Sequence, residues 1–184
     1  PNNPKEILYI HDKPLMELGG LGTFDDKGMT SSQIIELNGE NCFYYNGYNI
    51  ATTARYRVGI GLAVFNSAMN ELNRKFDGPI MDRTIYDPCG TATPFILKEE
   101  GLFKMWYASF QRWKIIDGDP EPFYTIKHAT SNDGISWVVN EDFCIDFEGE
   151  EGGIVRPTVM KIDAYYYMWF SAWKNTKYRD NVKA

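Results

Sequence analysis

The sequence predicts an all-β fold of the β-propeller kind, and three observations predict it. Aromatic-rich runs, Cys42-Phe43-Tyr44-Tyr45, Lys104-Met105-Trp106-Tyr107 and Tyr167-Met168-Trp169-Phe170, recur with centres 62 and then 63 residues apart. A second anchor (Ser32, Pro94, Pro157) stands 11 residues ahead of Phe43, Met105 and Met168 in all three cases. No stretch carries the 3.6-residue apolar period of a helix. A β-sandwich with accidental internal similarity is the competing architecture, and three equal anchor spacings argue against it.

Each unit opens with a strand after its anchor: Gln33-Ile34-Ile35, Phe95-Ile96-Leu97 and Thr158-Val159-Met160. Turn signals Asn38-Gly39, Glu100-Gly101 and Asp163-Ala164 then separate it from the aromatic run, so the first two strands form a hairpin. A third strand is expected over Arg55–Phe65 and over Phe123–Ser131. In the second unit Ser131-Asn132-Asp133-Gly134-Ile135-Ser136-Trp137 makes a tight turn, with Trp137 folding back onto a fourth strand near Val138-Val139. The matching turn in the first unit, Asn66 to Asn70, is degraded. The expected division is the tail of a preceding blade over 1–20, blades over 21–82 and 83–147, and the first half of another over 148–184, ending near Arg179-Asp180-Asn181. About three blades cannot close a ring of roughly four to eight. Flanking sequence, or a second copy in an oligomer, is expected to complete it.

The chain has 184 residues, 43% apolar and 15% aromatic, which excludes disorder and suits pleated β-surfaces. A formal charge of −6 argues against a nucleic-acid partner. No apolar run reaches the roughly 20 residues of a membrane helix, so no membrane partner is expected. Cys42, Cys89 and Cys144 are odd in number and read as free thiols of a reducing, cytoplasmic compartment. No secretory leader is visible in a sequence that begins at Pro1 without a Met. His11 and His128 are too isolated for a metal site, and no metal or cofactor is expected.

Propeller ligands meet the mouth of the central channel, which the first strand of each blade lines. Acids precede that strand every time: Asp25-Asp26, then Asp87, then Glu150-Glu151, six or seven residues ahead of the anchors. Repetition around a ring would gather them at the axis. Clustered carboxylates suit glycosyl transfer, in which one acid gives a proton to the leaving oxygen and another, ionised, activates water or attacks the sugar. Mutual repulsion and burial would separate their pKa values and so assign the roles. The alternative is that these acids cap turns or neutralise Arg83 and Arg156. Tyr48, Trp113 and Trp173 are expected in loops after each second strand, where their faces can stack on sugars or pack between blades. Arg156, before Pro157, is expected to be extended and to point into the channel.

Asp87-Pro88, Trp106-Tyr107 and the Ser131–Trp137 turn resemble the five-bladed propeller glycosidases: the arabinanase/β-xylosidase and invertase/levansucrase groups and the mannoside phosphorylases. Gly22–Gly28, Gly78–Arg83 and Ile154–Pro157 more closely resemble bacterial propellers of that superfamily associated with surface-glycan biosynthesis. The resemblance implies a glycoside hydrolase-like protein acting on a saccharide. Asp87 then resembles the transition-state-stabilising Asp and Glu151 the general acid, with Glu150 its alternative. Asp26, with Asp25 as rival, occupies the position one blade earlier. Arg156, Trp113, Trp173 and Tyr48 are the candidate substrate contacts. A non-catalytic glycan-binding or assembly module and a glycoside phosphorylase are the other readings.

Overall fold

The structure, a computed structural model, describes residue 3 and residues 5–174. Arg179, Asp180 and Asn181, where the third unit was expected to stop, lie outside the described residues. All regular structure among the described residues is β. The first sheet contains β1 (Gly28–Leu37), β2 (Glu40–Asn49), β3 (Arg57–Phe65) and β4 (Leu72–Arg74), antiparallel and in that order. The second contains β5 (Gly90–Glu99), β6 (Leu102–Ile116), β7 (Asp119–Ser131) and β8 (Val138–Ile145), again a meander. The third is the hairpin of β9 (Glu151–Ile162) and β10 (Tyr165–Lys174), joined to the second sheet by one parallel pairing, Tyr124 with Gly153.

Turn chemistry sets the hairpins. Asn38 and Gly39 both have positive φ (52° and 83°), as do Glu100 and Gly101 (51° and 83°). Two consecutive positive φ values give the type I′ turn whose twist matches the strands it joins. Asp117 and Gly118 (52° and 88°) form a third such turn. It makes β6 and β7 longer than the sequence reading expected. Trp113 consequently sits inside β6, opposite Pro122, and not in a loop. Tyr48 and Trp173 are likewise strand residues, near the ends of β2 and β10.

In β2 and β6 the aromatic runs are continuous rather than alternating because these strands are covered on both faces, whereas Tyr167, Trp169 and Phe170 of β10 are exposed. Within β6, Phe103, Met105 and Tyr107 pack with Leu37, Tyr44, Ile60 and Leu62 of the first sheet. Trp106, on the opposite face, packs with Ile126, Ile154 and Val159 towards the third. Burying one such side chain contributes about 2 kcal/mol or more. The Ser131–Trp137 turn fastens the first sheet to the second. Ser131 Oγ accepts from the backbone N–H of Asp133 and Gly134, Asp133 Oδ1 accepts from those of Ile135 and Ser136, and the Tyr44 hydroxyl donates to the Gly134 carbonyl. These backbone donors hold the Asp133 carboxyl down at about 2. Trp137 packs beneath, against the first core cluster. His128 lies edge-on to Trp106, and burial lowers its pKa. No helix among the described residues is long and apolar enough to cross a membrane.

Candidate functional site

β1, β5 and β9 converge on one cavity of about 680 Å³. Each strand breaks its ladder at the anchor found in the sequence. The register slips between Ser31 and Gln33 in β1, between Ala92 and Phe95 in β5, and between Val155 and Thr158 in β9. A bulge bends the strand and re-aims its side chains. Two of the three bulges place a non-glycine residue in the left-handed region: Thr93 (φ 48°) before Pro94, and Arg156 (φ 55°) before Pro157. Such conformations cost about 1–3 kcal/mol each and persist only where the surroundings hold them. Arg156 is therefore not extended as the following proline suggested, because the bulge overrides the local preference.

The surroundings that hold the bulges are hydrogen bonds between neighbouring units. Ser32 Oγ donates to the Pro94 carbonyl at 2.6 Å, and the Thr93 N–H donates to Asn46 Oδ1 at 2.6 Å. The Arg156 N–H donates to Thr93 Oγ1 at 3.3 Å. Gln33 clamps both backbone groups of Ile96, accepting from its N–H at 2.6 Å and donating to its carbonyl at 3.0 Å. The broken ladders thus leave backbone groups that side chains of the preceding unit satisfy.

An aromatic belt forms one wall. Tyr48 meets Tyr56 (ring centroids 5.4 Å apart), Tyr56 meets Phe110 (6.4 Å), Phe110 stacks on Tyr124 (4.4 Å) and Tyr124 meets Trp173 (5.5 Å). Tyr48, Trp173 and Arg156 all line the cavity. Trp113 is not among the lining residues; it stands edge-on to Tyr56 at 5.2 Å. Sequence reasoning missed Tyr56, Phe110, Tyr124 and Asn46. Phe110 and Tyr124 are cross-strand partners whose register the Asp117-Gly118 turn fixes, and that turn was the signal for them; Tyr56 stands just ahead of β3.

The leading acids are placed differently. Asp87 is fully buried, accepting from the hydroxyls of Thr84 (2.6 Å), Tyr107 (3.1 Å) and Ser109. Its counterpart 62 residues earlier is Asp25, also fully buried, which accepts from Tyr45 (3.1 Å), Thr23 (3.0 Å) and Arg74 (2.7 Å). In both units the tyrosine follows the acid by 20 residues. Burial, then the adjacent carboxylate charge, pushes the Tyr45 and Tyr107 pKa values up. Asp26 is half-buried; its Oδ2 accepts from the Gly22 N–H at 2.9 Å and its buried Oδ1 has no partner. In the third unit Glu150 and Phe170 take the acid and tyrosine positions. Glu150 is exposed and paired with Lys174 at 2.7 Å, which lowers its pKa. Glu151 is half-buried, with Oε2 buried and unpartnered, beside a separate cavity of about 400 Å³ that Asp146 and Glu148 also border. None of Asp26, Asp87 and Glu151 is among the residues lining the hub cavity. Among the described residues no three acidic, histidine or cysteine side chains are grouped to hold a metal ion.

No family model matches the chain. It is 31% identical over 175 residues to Uncharacterized protein Rv1502 and to Uncharacterized protein MT1551, both of Mycobacterium tuberculosis. The match covers 95% of this chain and 57% of each relative, so the chain spans little more than half their length. Among solved structures, one named "Glycoside hydrolase" superposes with a TM-score of 0.67 at 18% identity, over 90% of this chain and 48% of that one. A second comes from work on mannoside phosphorylases and glycoside hydrolases that target β-1,2 mannosidic linkages in Candida mannan. It gives a TM-score of 0.60 at 18% identity over 80% and 45%. A glycosyl hydrolase from Bacteroides ovatus gives 0.58 at 18% over 80% and 44%. These likenesses establish the fold: the chain is all-β and forms part of a β-propeller.

Proposed function

We propose that this chain is the part of a five-bladed, carbohydrate-active propeller that holds a saccharide in its hub cavity. The observation that carries the reading is the meeting of one aromatic belt with three bulged strands around a single opening. Sugar rings present apolar C–H faces that stack on aromatic rings, and hydroxyls that both give and accept hydrogen bonds. Tyr48, Tyr56 and Trp173 supply the first kind of surface; Thr30, Ser31 and Thr158 supply the second. Five blades suit the repeat. With 175 matched residues making 57% of the relative, its length is roughly 300 residues, about five units of 62–63. A screen of the purified chain on a saccharide array, followed by fluorescence titration, tests the reading. Trp173→Ala is expected to weaken binding about tenfold through lost stacking. Absence of any saccharide binding would overturn it.

Cleavage of a glycosidic bond is the second reading, and Glu151 carries it. Its carboxyl is half-buried, one of its oxygens has no protein partner, and it borders a cavity together with Asp146 and Glu148. Asp87, the leading acid of the second unit, would be the second acid of this reading, fixed by the hydroxyls of Thr84, Tyr107 and Ser109. Glu151→Gln is then expected to abolish turnover of a bound glycan while binding persists, and undiminished turnover would exclude this role. Dependence of turnover on inorganic phosphate would mark a phosphorylase. Cys42, Cys89 and Cys144 are all free thiols, which supports a reducing, cytoplasmic setting.

A further inference from the structure

We infer that the saccharide held at the hub carries an anionic group, a carboxylate or a phosphate ester, which pairs with Arg156; the inference rests on the saccharide reading above. Of the residues lining the cavity, Arg156 alone is charged, and no Asp or Glu is among them. Among the described residues no carboxylate lies within ion-pair distance of Arg156. The suggestion that hub acids neutralise this arginine is therefore not met. In a chain of formal charge −6, a guanidinium at a cavity with no carboxylate among its lining residues gives that opening a local positive potential that favours an anion.

The backbone supports the same conclusion. Arg156 holds a left-handed conformation within a bulge, and its N–H is tied to Thr93 Oγ1. Pro157 removes the next backbone donor from consideration and is itself buried. The bond to Thr93 fixes the main chain while the side chain remains exposed at the cavity wall. Hydroxyls and amides of Thr30, Ser31, Gln33 and Asn46 already supply hydrogen-bonding groups for the neutral parts of a saccharide. A guanidinium fork matches the two oxygens of a carboxylate or phosphate in a way a lone hydroxyl does not. Thr158, two positions on from Arg156 in the same strand, also lines the cavity and adds a hydroxyl donor.

The test compares matched pairs on the intact protein. Oligomers of galacturonate, glucuronate and mannuronate are each titrated beside their methyl esters, and hexose 1-phosphates beside the free hexoses. The expected result is at least a tenfold preference for the charged member of one pair, falling as NaCl rises from 50 to 500 mM, whereas ester binding is insensitive to salt. The uronate and phosphate arms identify the source of the charge. Arg156→Gln is expected to bring that ratio close to one, and Arg156→Lys to leave it intermediate, with circular dichroism confirming that both variants fold. Equal affinity for charged and neutral members in the wild-type protein would overturn the inference and leave the saccharide reading standing. Failure to bind any member of any pair would overturn both.

Discussion

Replacing Arg74 with methionine tests whether the first leading acid is a structural rivet. Asp25 is completely buried, and Arg74, from β4, is its cationic partner at 2.7 Å, itself 21% exposed. Removing one member of a buried pair leaves a charge in a poorly solvated site, at a cost of 3–5 kcal/mol in fully enclosed cases. Partial exposure of Arg74, and the bonds from Tyr45 and Thr23 that remain, argue for the lower end. We expect Arg74→Met to cost about 3 kcal/mol, a shift of roughly 1.5 M in the urea midpoint at a slope near 2 kcal/mol/M. Asp25→Asn combined with Arg74→Met removes the orphaned charge along with its partner. The double variant is therefore expected to be more stable than Arg74→Met alone. Equilibrium urea unfolding followed by tryptophan fluorescence measures both. A loss below about 1 kcal/mol for Arg74→Met, or a double variant no more stable than Arg74→Met alone, would refute the reasoning.

Two further substitutions probe the frame that positions the cavity. Gly90 opens β5 at φ 135°, and a Cβ there would stand 2.6 Å from the Val58 carbonyl oxygen. Gly90→Ala is expected to cost about 3 kcal/mol or more, whereas Gly28→Ala, whose new Cβ would meet only Tyr48 at 3.9 Å, should stay within about 1 kcal/mol. Thermal unfolding of the two variants side by side checks the contrast. Asp133→Ala removes the acceptor for two backbone donors and should cost about 1 kcal/mol at pH 7. Because the folded carboxyl is held near 2, below its ordinary 3.8, its contribution is complete above about pH 4 and disappears as pH falls towards 2. The gap between wild type and Asp133→Ala should therefore close over that window, and a gap that is independent of pH would show that the turn does not depend on the charge.

The repeat, its period, and the hairpins at Asn38-Gly39 and Glu100-Gly101 were legible in the sequence because each depends on local chemistry. A type I′ turn needs residues that accept positive φ, and a blade covered on both faces needs an unbroken apolar run. The anchors Ser32, Pro94 and Pro157 were also visible, as were Tyr48, Trp173 and Arg156 as candidates for the opening. The nature of the anchors was not. A bulge inserts one residue into one strand, and its presence depends on the partner strand and on side chains from the preceding unit, such as Asn46 and Gln33. The choice between Asp25 and Asp26 turned on the same geometry. Both acids lie in the turn ahead of β1, where the Asp26 N–H donates back to the Thr23 carbonyl, and the turn sends one carboxylate to Arg74 and Tyr45 and the other to the Gly22 N–H.

The chain by itself determined that four-stranded units recur, where each begins, and which aromatic side chains fill the layers between them, since these follow from spacing and propensity within some 60 residues. Only the tertiary structure decided that Asp25 and Asp87 are enclosed by tyrosines one strand away. It alone decided that Trp113 stands behind Tyr56, and that Thr93 and Arg156 are held left-handed at the hub. The physical reason is that burial, backbone strain and charge pairing are properties of what surrounds a residue, and at the hub those surroundings come from units more than 60 positions apart.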